Sequence, residues 1–97
     1  MMIKRIVKMT FREEAVPEFL AIFEESKNKI KAFKGCQHLE LLQGTSQPYL
    51  LFTLSYWENE DALDAYRQSD LFKATWKKTK ALFAQKAEAW SVEEVRE

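Results

Sequence analysis

The sequence predicts an α+β fold, a small antiparallel sheet covered by helices in the order β-α-β-β-α-α-β. Three observations point there. Ile3 to Phe11 alternates apolar and polar residues in the two-residue rhythm of a strand. Phe19, Ile22, Phe23, Ser26, Ile30 and Phe33 then recur at helical spacing, with Glu and Lys between them. The runs "CQHLELLQ" and "YLLFTLSYW", joined by "GTSQP", read as an antiparallel hairpin closed by a turn.

In the first strand Ile3, Val7, Met9 and Phe11 share one side and Lys4, Lys8 and Thr10 the other, while Arg5 and Ile6 stand out of phase. The following helix runs from about Val16 to Phe33. Pro17 suits its first turn, and Gly35 lies where helices commonly end in a left-handed residue. After the hairpin, Asn59 can cap a second helix, with Glu60 and Asp61 at the positive end of its dipole. Ala62, Leu63 and Tyr66 form its apolar side. Ser69 offers a fresh cap, and Phe72, Thr75, Trp76, Thr79 and Phe83 make one stripe of a third helix. "AEAWSVEEV" reads as the last strand. The order is a ferredoxin-like pattern whose second helix is broken at Ser69.

A chain of 97 residues implies one domain, residues 1–97. Fifteen basic residues balance fifteen acidic ones, so no net field favours nucleic acid or an anionic membrane. Lys77-Lys78-Thr79-Lys80 reads as a solvated helix face. Cys36 is the only cysteine, which excludes an internal disulfide and any multi-cysteine zinc or iron–sulfur site. "MMIKRIVKMTF" carries Lys4, Arg5 and Lys8 where a signal peptide is apolar. No apolar run approaches the roughly 20 residues that span a bilayer. A small cytoplasmic protein is the expectation.

Along Tyr49 to Trp57, one side carries Leu50, Phe52, Leu54 and Tyr56 and the other Leu51, Thr53, Ser55 and Trp57. Neither is a water face. Helices cover one face of a four-stranded sheet, which leaves roughly 350 Å² of the other. Hiding that area is worth up to about 9 kcal/mol per subunit before association costs. Symmetric pairing covers the same patch on both copies, so a homodimer is expected.

The run "FKGCQHLELLQ", the strand end "SYWENEDALDAY", the break "RQSDLF" and the closing "AEAWSV" resemble the antibiotic biosynthesis monooxygenase family, in the family's order and over nearly the whole chain. The resemblance implies a dimeric α+β barrel. By analogy with the family's oxygenases, it also implies a cofactor-independent monooxygenase, using neither flavin nor metal, that oxidises an aromatic or polyketide-like small molecule with O₂. The alternative is a non-catalytic dimeric small-molecule-binding protein of the same fold. The oxygenase chemistry calls for a dry aromatic pocket, a base and donors for a developing oxyanion.

His38, the only histidine, is the candidate base; its alternative reading is a hydrogen-bonded interface residue at the sheet surface. Tyr66 is the candidate hydrogen-bond donor and Trp76 a stacking platform, both at pocket positions by resemblance, with ordinary core packing as the alternative for each. Phe72 would add to the pocket wall. Trp57 would bind substrate or serve as a fold-maintaining ring at the sheet edge. Arg67 would hold an anionic oxygen or pair with Asp64 or Asp70.

Haem-degrading members of the family carry an asparagine and a histidine where this chain has Val7 and Trp76. Valine donates no side-chain hydrogen bond and tryptophan does not ligate iron, so haem breakdown is not expected. "YLLFTLSYW" lacks the glycine and positive charge of an RNA-recognition strand. "FREEAVPEF" has no cysteine for a metal-chaperone loop.

Overall fold

Alternation makes Ile3–Phe11 a strand, and its double-sided pairing makes it an interior one. The computed structural model describes residues 2–96. The elements run β1 (Ile3–Phe11), a single 3-10 turn (Glu13–Ala15), α1 (Val16–Lys31), β2 (Cys36–Gln43), β3 (Leu50–Trp57), α2 (Glu60–Arg67), α3 (Asp70–Lys80) and β4 (Phe83–Val92). The sheet order is β2-β3-β1-β4, with every neighbouring pair antiparallel. This is the ferredoxin-like α+β fold that the pattern predicts. No helix among the described residues is long and apolar enough to cross a membrane.

The register assigns the faces. Ile3 opposes Trp57, Arg5 opposes Ser55, Val7 opposes Thr53 and Met9 opposes Leu51, and these residues face the helices. Arg5, out of phase in the sequence, therefore stands on the covered face, and Ile6 on the bare one. Two core clusters form at opposite ends of β1. Met9, Phe11, Ala15, Phe19, Leu51 and Leu82 make one, and Ile3, Trp57 and Leu63 the other. The middle of the covered face, at Arg5, Val7, Thr53 and Ser55, is only partly filled.

Three local features differ from the periodicity. The first helix ends at Lys31, short of Phe33, and Gly35 sits in the turn that follows, where the Cys36 N–H donates to the Phe33 carbonyl at 2.9 Å. The register slips between Cys36 and His38, so that Cys36 packs toward Trp57 while His38 turns to the bare face. Strict alternation put both on one side; the bulge separates them. The last strand begins at Phe83, so Phe83 belongs to β4 opposite Phe11 and not to the helix stripe. The Leu82 N–H donates to Thr79 at 3.0 Å, and the Arg12 N–H donates to Leu82 at 3.1 Å, which turns the chain into the sheet. Two register shifts in β4 disguise its alternation.

The bare face carries Ile6, Leu42, Phe52, Leu54, Trp90 and Val92, and Leu42 and Trp90 are 45% and 44% exposed. Lys4 spans part of it with its ammonium 5.0 Å from the Tyr56 ring.

Gly35 is a point of close approach between the start of β2 and α2. Its φ is +89°, in the left-handed region, and a Cβ there would lie 2.4 Å from the Ala62 Cβ of α2. Its carbonyl accepts from the Glu58 N–H at 2.9 Å. Only glycine lets the start of β2 lie this close to α2. Gly35→Ala is expected to lower stability by about 2 kcal/mol or more in urea unfolding, through both the backbone conformation and the displacement of α2.

Candidate functional site

The rings that the sequence concentrates around the helix break form a continuous wall. Tyr66 stacks on Trp57 with centroids 4.8 Å apart at 23°, and Phe72 meets Tyr66 edge-on at 5.2 Å. Trp76 lies parallel to Phe72 at 5.8 Å and edge-on to Phe83 at 5.6 Å. Phe83 reaches Phe11 at 5.2 Å, which joins the wall to the first core cluster. The rings thus bridge the two clusters above the unfilled middle of the sheet.

The break itself sets this geometry. Gln68 caps the end of α2 and Ser69 begins α3. The Ser69 hydroxyl accepts the Phe72 N–H at 3.1 Å and donates to the Tyr66 carbonyl, holding both ring-bearing residues through one oxygen. Asn59 caps α2 from the other end, accepting the Ala62 N–H at 2.8 Å.

Beneath the wall lies a chamber of about 290 Å³. Val7, Thr53 and Ser55 floor it, Ala87 and Ala89 of β4 leave one side low, and Ile22 and Ser26 of α1 close another. Ser26 is satisfied within its helix, donating to the Ile22 carbonyl at 2.8 Å. The Ser55 oxygen accepts from Trp57 Nε1 at 2.9 Å, which leaves the hydroxyl proton of Ser55 to donate. The volume and apolar lining suit a small flat ring system.

The polar groups of the chamber are few. The Tyr66 hydroxyl has no hydrogen-bond partner among the described residues, and burial, with a smaller contribution from Cys36, pushes its pKa up to about 12. At neutral pH it is a donor. Arg5 and Arg67 line the chamber as well. Burial and then the charge of Arg67 lower the pKa of Arg5. Among the described residues no Asp, Glu or His lines the chamber.

Of the residues proposed from sequence, the structure brings Trp57, Tyr66, Arg67, Phe72 and Trp76 to one chamber. It does not bring His38 there. That ring packs against Tyr56 at 4.9 Å, and Nε2 lies 3.7 Å from Glu40, all on the bare face. The sheet stands between His38 and Tyr66, because a bulge and not simple alternation sets the facing of β2. Trp57 is wholly buried at the end of an interior strand, not at the sheet edge. Arg67 forms no ion pair with Asp64 or Asp70 among the described residues. Cys36 is half-buried, donates to the His38 carbonyl at 3.7 Å, and has its thiol pushed up by burial.

Sequence reasoning missed Arg5, Thr53 and Ser55 as chamber residues. The signal was present. Each is a polar residue at the apolar phase of its strand.

Residues 2–78 match the family described as antibiotic biosynthesis monooxygenase. No curated protein matches the chain by sequence. Among solved structures it is similar to a conserved protein from Methanosarcina mazei Go1, at 22% identity and TM-score 0.93, over 97% of this chain and 93% of that one. It is similar to an antibiotic biosynthesis monooxygenase at 19% identity and TM-score 0.91, over 97% and 99% of the two chains. It is also similar to Rv0793 from Mycobacterium tuberculosis at 16% identity and TM-score 0.90, over 100% and 98%. At such identities the likeness is one of fold.

Two outcomes check this geometry. In a phenolate absorbance titration of the three tyrosines, one is expected to ionise near 12, and Tyr66→Phe to abolish that phase. The raised folded-state pKa favours the protonated phenol, so its contribution to stability is complete below pH 10, where a free tyrosine ionises, and lost as pH climbs toward about 12. Ser69→Ala is expected to cost about 1–2 kcal/mol in urea unfolding, since one hydroxyl serves both helices.

Proposed function

We propose, on the premise that this chain belongs to the antibiotic biosynthesis monooxygenase family, that it is a cofactor-independent monooxygenase acting on a small, flat aromatic or polyketide-like molecule. The observation that carries this reading is the ring-walled chamber lined by Tyr66, whose un-ionised hydroxyl has no hydrogen-bond partner among the described residues.

In this reading a phenolic or anthrone-like substrate lies between the sheet floor and the rings of Phe72 and Trp76. It loses a proton, and its electron-rich anion passes electrons to O₂. For an anthrone, CH₂ becomes C=O, with one oxygen atom retained and the other leaving as water. Tyr66 and Ser55 donate to the oxyanion as it develops, in a site where few dipoles compete. Among the described residues no carboxylate or imidazole lines the chamber, so the proton departs to solvent. The substrates that fit are those acidic enough to ionise without a resident base.

The apolar bare face supports a homodimer. Leu42, Phe52, Leu54, Trp90 and Val92 lie on one side of the sheet, and a second copy presents the same patch. His38 and Tyr56 then lie at the interface, apart from the reaction.

Oxygen uptake by chelator-treated protein with a panel of hydroquinones and anthrones tests the reaction. Turnover is expected, with Tyr66→Phe reducing kcat about 100-fold and His38→Ala changing it less than about twofold. Ligand binding without oxygen uptake would identify a binding protein instead. Light scattering across dilution is expected to report a dimer at micromolar concentration, and Phe52→Glu with Leu54→Lys to yield folded monomers.

A further inference from the structure

The covered face of the sheet carries one polar rung. The register places Arg5 of β1 between Ser55 of β3 and Ser91 of β4, all pointing toward the helices. Arg5 Nη1 donates to Ser91 Oγ at 3.0 Å, which uses one of the five donors of the guanidinium. Toward the middle of the sheet the next rung is Thr53, Val7 and Ala89, and the small Ala89 leaves the side of the chamber low beside Arg5. Arg67, at the last position of α2, lines the same chamber from the helix layer.

These two cations have no countercharge among the described residues. Neither forms an ion pair with any described carboxylate, although Asp64 and Asp70 are close to Arg67 in sequence. Arg5 is half-buried, and the charge of Arg67 disfavours its own. An arginine turned inward on a strand, half removed from water and facing a second arginine, is costly unless something anionic stands between them. The side-chain hydrogen bond of Arg5 to Ser91 is one that a neutral donor also makes. The planar guanidinium fork matches a carboxylate in two parallel hydrogen bonds.

We infer that the ligand of the chamber is an aromatic carboxylate, its ring against Phe72 and Trp76 and its carboxylate held between Arg5 and Arg67. This rests on the ring-chamber reading above and adds the charge of the ligand to it. The pair also supplies the positive field that an ionising substrate needs where no base is present, since nearby positive charge favours the anion of any acidic group on the same ring.

The test uses two bicyclic probes of nearly equal shape, 2-naphthoate and the neutral 2-naphthamide, followed at pH 7 by quenching of tryptophan fluorescence and by calorimetry. Naphthoate is expected to bind about tenfold more tightly than naphthamide, a ratio that shrinks with added salt. Arg67→Gln, on an exposed helix position, is expected to remove most of the ratio while naphthamide affinity stays within about twofold. Arg5→Gln should do the same, provided circular dichroism shows it folded, and Arg67→Lys should keep part of the preference. Equal binding of the two probes by the unaltered protein would overturn the carboxylate subsite and leave the ring chamber standing. A naphthoate preference that survives Arg67→Gln and Arg5→Gln would place the anion elsewhere and overturn it too. Binding of neither probe would overturn the chamber reading and this inference together.

Discussion

The stacking of Tyr66 on Trp57 is the joint on which the rest of the structure turns. Trp57 is fully buried at the end of β3 and is anchored by its indole N–H on Ser55, so it cannot shift without losing a buried hydrogen bond. Tyr66 carries that fixed position into the helix layer, and Ser69 carries it onward to Phe72 and Trp76. Each ring constrains the next, and the wall ends in the opposite core cluster at Phe83 and Phe11. A wall pinned at both ends can stand over an unfilled space, where separate side chains would relax into it.

The same joint explains the helix break. A continuous helix from Glu60 to Lys80 would carry Tyr66 and Trp76 on directions set by a single axis. Ending α2 at Arg67 and restarting at Asp70 lets the two short helices take different axes, so that Tyr66 faces the Trp57 cluster while Trp76 faces Phe83. The two caps, Asn59 and Ser69, offset the cost of an additional pair of helix ends. Gly35 completes the arrangement by letting α2 lie against the start of β2.

The two faces of the sheet divide the molecule's work. The covered face has its apolar residues at the ends and its polar rung near one end of the chamber, so the chamber has rings on one side and donors on the other. The bare face is apolar with a few charges, Lys4, Lys8, Glu40 and Glu88, among the hydrophobic residues. A one-residue slip in β2 or β4 would exchange residues between these faces, which gives the bulges their importance.

By itself the amino-acid sequence determined the elements and their order. Local periodicity, the caps at Asn59 and Ser69, Pro17 and the Gly44–Pro48 turn act within a few residues, and the ferredoxin-like topology follows from that order. It also marked the ring cluster around Ser69. Tertiary structure alone decided which face His38 and Cys36 take, where β4 begins, and that Arg5 and Arg67 meet at one chamber. Those outcomes depend on how the strands pair and on where the helices lie over the sheet, not on the periodicity of any one segment. A bulge inverts the facing of every residue beyond it, and no local pattern records a bulge that only the partner strand imposes.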